Sequence, residues 1–255
     1  MLRTGMAETV AYRGELLVWI LSTNTPIIML FLWRAVAADG PLGRYGTTEL
    51  TAYFLVTLAV RLLTGSWVAW IMNTEIRQGD MGMRLLRPVH PFIHYLSEHW
   101  GAWPIRALFV LPVFAVIGIV VGAEPLTHDP RQWLLLPLAV VGAFGVTFSA
   151  MLCIGSMSFF WQSTLALIEV WYGLYVVFSG YIVPIELFPP AVARVLLWLP
   201  FPYLLSFPVE LTLGLHDFAT SLARLGVQWA YVAGFTALAL LLWRAGVRRY
   251  EAFGG

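Results

Sequence analysis

Arg61 and Glu169 are the residues best placed to do chemistry, because each stands inside a long apolar run. A charge at the centre of a bilayer costs about 2.5–3.5 kcal/mol on insertion scales, so it must face a partner or a cavity. The two are expected to pair, either as a lock between two helices or as a contact for cargo. A second set is His90, His94 and Glu98, spaced four apart, with His99 adjacent. That spacing shares one helical face and could hold a metal. However, His90 directly precedes Pro91 and suits a helix start, and no convergent carboxylate pair joins the histidines, so no metal site is expected. No catalytic residues are expected either: GxSxG, HExxH and GxxxxGK[ST] are all missing, and there is no lysine to complete the last. Any energy must therefore come from an ion gradient or another polypeptide. Ion-coupled carriers usually gather several ionisable groups and broken helices at the midplane. With only Arg61 and Glu169 as candidates, an energised partner is the leading expectation. A stand-alone carrier and an integral membrane enzyme acting on lipid are the alternatives.

The elements holding these residues are membrane spans. Of the 255 residues, 60% are hydrophobic and 11% are charged, against about 25% charged in soluble domains. The formal net charge of +1 gives no reason to invoke nucleic acid. The single cysteine, Cys153, excludes an intrachain disulfide. A span needs about 20 mostly apolar residues, and six runs qualify: 16–37, 50–72, 103–122, 133–157, 164–183 and 227–245. The first is full length and lacks a small-residue cleavage site, so it reads as a span and not as a signal peptide. Tryptophans such as Trp70, Trp103, Trp133, Trp161 and Trp243 mark the ends as an aromatic belt. With six spans both termini share a side. Arg3, Arg13, Arg77, Arg84, Arg87, Arg244, Arg248 and Arg249 fall there, against Arg44, Arg131, Arg194 and Arg224 opposite, which predicts cytoplasmic termini. Residues 2–13 repeat Leu2, Met6 and Val10 every fourth position and suit a short interfacial helix or a frayed tail. Gly118 with Gly122, and Gly145 with Ser149 and Cys153, are small-residue stripes for close helix packing.

Two segments depart from plain spans. The loop 73–100 mixes charges with Ile76, Met81, Met83, Leu85 and Leu86, punctuated by Gly79 and Gly82 and broken by Pro88 and Pro91. It reads as a short helix able to dock into a partner's groove. Residues 179–214 are apolar yet carry Pro184, Pro189, Pro190, Pro200, Pro202 and Pro208. Interior prolines break helices, and broken backbone at membrane depth is tolerated only inside protein or beside a water-filled cavity. Short helices dipping into the outer face are expected.

Three motifs, in order, resemble the permease subunits of type-2 ABC exporters (ABC-2 family transporter proteins). They are Arg77-Gln78-Gly79-Asp80 with Leu85-Leu86-Arg87-Pro88; Ser179-Gly180-Tyr181-Ile182-Val183-Pro184 with Phe188-Pro189 and Leu199-Pro200-Phe201; and Trp243-Arg244-Ala245-Gly246 with the tail from Arg249 to Gly255. The resemblance implies an all-α integral membrane protein, a single transmembrane permease domain over 1–255, with six spans, an N-terminal interface helix, a cytoplasmic coupling helix and re-entrant outer helices. It implies that Glu75, Ile76, Arg77, Gly79 and Asp80 couple to an ATPase subunit, and that Gly180, Pro184, Phe188, Pro189 and Pro200 form an outer gate. Spans two and five would line a pathway at a dimer interface with a second permease chain, identical or related. ATP and magnesium would belong to the ATPase, with no cofactor in this chain. The setting implied is a bacterial inner membrane, with lipid around the spans. Few charges and many aromatics suit an amphipathic or apolar cargo such as a lipid or hydrophobic drug; a glycan is the other option.

Overall fold

The computed structural model describes residues 25–250, and they are almost wholly helical. The expected interface helix at 2–13 and the first part of span one lie outside the described residues. The rest of span one is α1 (Thr25–Val36). Span two comes in two pieces, α2 (Thr47–Thr64) and α3 (Val68–Gln78), separated at Gly65–Trp67. A five-residue helix, α4 (Met81–Leu85), follows after the turn at Gly79. Span three is longer than its apolar run predicts. α5 (Pro91–Gly101) continues into α6 (Trp103–Val116), which ends in a wider π turn at Ile117–Val121. Span four is α7 (Pro130–Ser156). Span five is α8 (Leu165–Phe178), which stops short of the predicted 183. Three short helices then descend and return: α9 (Pro190–Leu196), α10 (Phe201–Leu204) and α11 (Ser206–Thr212). Span six, α12 (Phe218–Val247), begins well before 227. Among the described residues, four stretches are long and apolar enough to cross a bilayer: Thr47–Gln78, Pro91–Val121, Pro130–Phe159 and Phe218–Val247; α8 is a shorter apolar helix.

The core is α7 against α12, flanked by α2 and α3. The small-residue stripe of α7 does what its spacing predicts. A Cβ on Gly145 would lie 3.0 Å from Val232, and the Cys153 thiol lies 3.1 Å from the Phe235 carbonyl. Gly118 and Gly122 behave differently, with open space where a Cβ would go. Their stripe brings no described backbone close.

Each break in a span is satisfied from inside, as hydrocarbon demands. At the α2–α3 break, Arg106 of α6 donates to the Gly65 carbonyl at 2.9 Å. The His99 Nε2 accepts from Trp67 N at 3.4 Å and lies 3.1 Å from the Ser66 hydroxyl, while its Nδ1 donates to the Tyr95 carbonyl at 2.8 Å. On the outer side, the chain turns at Gly180, whose φ of +87° is the left-handed region that glycine adopts freely. The Tyr53 hydroxyl of α2 donates to the Gly180 carbonyl at 2.8 Å, and Ser206 N donates to the Ser179 carbonyl at 3.0 Å. These bonds lock the descent to span two. A Cβ on Gly180 would lie 2.5 Å from the Tyr53 oxygen and 3.0 Å from Ser206, whereas one on Gly226 meets nothing within 4 Å. Gly180→Ala is therefore expected to destabilise the purified protein by on the order of 1–3 kcal/mol, and Gly226→Ala to leave it unharmed. Thermal melts in detergent compare the two.

Candidate functional site

Three places concentrate polar chemistry, one per level of the bundle. At the end of the bundle that holds α4, α3 delivers Glu75 inward. Its carboxylate bonds the Arg84 guanidinium, with Nε at 2.8 Å, and accepts the Tyr95 hydroxyl. Arg84 also lies 3.5 Å from Glu98 and stacks over the Tyr95 ring at 4.5 Å. Glu75 thus ties α3, α4 and α5 together. Ile76 is likewise buried. Gly79 ends α3 in the left-handed region, and its carbonyl accepts the Tyr250 hydroxyl at 2.9 Å. Arg77 and Asp80 are exposed. The most exposed apolar side chains of this loop are Met83 (69%) and Leu86 (80%). They stand on the α4 turn beside a cleft of about 650 Å³ lined by Glu75, Asp80, Arg84, Arg87 and His94.

The histidines of this region go three separate ways. His90 caps α5, its Nδ1 accepting from Phe92 N at 3.2 Å, as its place before Pro91 predicts. Burial, with Arg244 nearby, holds the His90 imidazole below its ordinary pKa, which keeps that nitrogen an acceptor at neutral pH. His94 bonds Arg87 at 2.9 Å, and His99 seals the span-two break. Among the described residues they do not converge on a metal-sized centre.

At mid-bundle the expected Arg61–Glu169 pair is absent. Glu169 is exposed on α8, while the Arg61 guanidinium stacks 5.3 Å from the Tyr175 ring with Tyr172 and Tyr181 around it. The face of α8 turned to α2 carries tyrosines, and Glu169 lies off that face. Replacing Arg61 by Gln and Glu169 by Gln should therefore give additive losses in stability, with a coupling below about 0.5 kcal/mol in a double-mutant cycle.

At the opposite end of the bundle, residues 201–213 are buried throughout. The predicted gate residues surround this descent. Gly180 makes the turn, Pro184 is buried, Phe188 and Pro200 are half-buried, and Pro189 is exposed ahead of α9. What holds the descent in place is a residue that sequence reasoning missed. Glu210 of α11 is only 4% exposed. It accepts from Ser206 at 2.5 Å and Arg224 at 2.6 Å, with His216 Nε2 at 2.9 Å. An acidic residue in so apolar a segment carries the same cost that singled out Arg61, and that signal was available. Gln228 of α12 adds a second pin, donating to the Ala139 carbonyl at 3.0 Å and the Tyr203 carbonyl at 2.8 Å. Arg224→Leu should strand the buried Glu210 carboxylate and cost roughly 3 kcal/mol. A melt of the variant in detergent measures it.

The arrangement has no catalytic constellation among its described residues. It is a bundle with an apolar knob on α4 at one end, a polar seam between α2 and α8, and a pinned, broken segment at the other end. A search among curated proteins returned no match. The sequence profile of the ABC-2 family transporter proteins matches residues 23–254, and with nearly the whole chain covered, this protein belongs to that family: it is a multi-pass membrane component of an ABC transporter.

Proposed function

We propose that this chain is the permease of an exporter, working as a dimer with a second permease and driven by separate ATPase subunits in a bacterial inner membrane, with both termini cytoplasmic. The observation that carries this reading is the exposed Met83–Leu86 knob on α4. Two large apolar side chains held out to solvent by an internal Glu75–Arg84–Glu98 network are what a partner's groove would grip. Arg77 and Asp80 flank the knob as polar rim contacts, and Gly79 sets its angle. Glu75 and Ile76 serve the lever behind it.

Coupling then follows from rigidity. The ion pairs join α4 to α3 and α5, so a push on the knob moves the cytoplasmic ends of spans two and three together. The α2–α3 break, satisfied by His99 and Arg106 without a continuous helical ladder, is the joint at which that motion is absorbed. Above it, spans two and five open or close the pathway, and the turn at Gly180 with Pro184, Phe188, Pro189 and Pro200 gates the outer end. ATP and magnesium belong to the partner; this chain supplies pathway and lever.

The double variant Met83→Asp with Leu86→Asp tests the reading. Charging two anchors at an interface centre should cut the copurifying ATPase by more than about tenfold, while the melt of the permease stays put because neither side chain is packed. Undiminished assembly would remove α4 as the docking element.

A further inference from the structure

A seam of enclosed polar atoms without partners runs between α2 and α8. Thr57 and Arg61 stand one turn apart on α2; Tyr175 and Ser179 stand one turn apart at the outer end of α8. Thr57 Oγ1, Arg61 Nε, Tyr175 Oη and Ser179 Oγ are all shut away from the surface, and none has a well-aligned hydrogen-bond partner among the described residues, the Tyr175 and Ser179 hydroxyls facing only each other. The Arg61 guanidinium lies over Tyr175, walled by Tyr172 and Tyr181. Arg61 falls near the midpoint of the apolar stretch Thr47–Gln78. A second cation, Arg106, lies close enough to Arg61 for the two charges to repel.

Buried polar groups are normally satisfied, and an unsatisfied cluster needs a reason. Three such hydroxyls beside the unpartnered Nε of a cation, with tyrosine rings for walls, make a receptor for a negative group. A carboxylate or phosphate would pair with Arg61 and accept from the hydroxyls of Tyr175 and Thr57 through charge-assisted bonds. A neutral drug or neutral glycan would leave the Arg61 charge without a counter-ion. We propose that this seam holds the anionic group of the cargo, which makes the cargo an amphipathic molecule with a phosphate or carboxylate head. The inference rests on the permease reading and narrows it.

The test is a titration of the chain as purified in neutral dodecyl maltoside, with whatever copurifies. Tryptophan fluorescence is the signal, since Trp70 lies 5.2 Å from Tyr172. Dodecyl phosphate should give a saturable change and dodecyltrimethylammonium none. Arg61→Gln should weaken the dodecyl phosphate response about ten- to hundredfold, with Arg61→Lys keeping most of it. Should Arg61→Gln fail to fold, Tyr175→Phe decides: it removes one hydroxyl and should weaken binding severalfold. Equal responses to both amphiphiles, a response that neither variant changes, or rescue of Arg61→Gln by Glu169→Gln would overturn the proposal. None of these depends on the ATPase, so the permease reading stands or falls separately by what copurifies.

Discussion

The need to satisfy every polar group without water governs this structure. Hydrocarbon offers no hydrogen bonds, so a chain that breaks its helices inside a membrane must supply partners from its own side chains. Here the breaks come first and the charges follow them. The gap in span two is bridged by His99 and Arg106, the outer turn by Tyr53, and the buried return by Glu210, Arg224, His216 and Gln228. Remove these and the proline-rich segment has no reason to lie within the bundle.

The same rule separates three kinds of buried charge. Glu210 is fully partnered and acts as a pin. The Glu75–Arg84–Glu98 group is partnered and half-buried, and ties α3, α4 and α5 together. Arg61 is enclosed by aromatic rings and keeps an unpartnered Nε. The proposed pathway rests on this contrast between two satisfied ends and an unsatisfied middle.

Much of this was legible in the residues. Apolar run length located spans two, three, four and six, and small-residue spacing marked α7 as a close-packing helix without naming its partner. Proline density located the broken outer segment, and His90 before Pro91 read as a helix start. Other features were hidden because they depend on three-dimensional partners. Span five ends at Phe178 because Gly180 turns under Tyr53, and nothing local in the apolar run 164–183 announces that contact. The Arg61–Glu169 pairing assumed that two intramembrane charges find each other, yet the helix face opposite Arg61 is aromatic. Glu75 reads as a surface charge in a polar loop, while Arg84 and Tyr95 draw it inward. Glu210 was overlooked although the cost argument applied to it as strongly as to Arg61.

The most direct test of the account is a density map of the assembly extracted from its native membrane. The account predicts an ATPase subunit bound to each permease, with Met83 and Leu86 of α4 seated in its groove. A permease that emerges alone, or one whose ATPase grips another surface and leaves α4 bare, would contradict it.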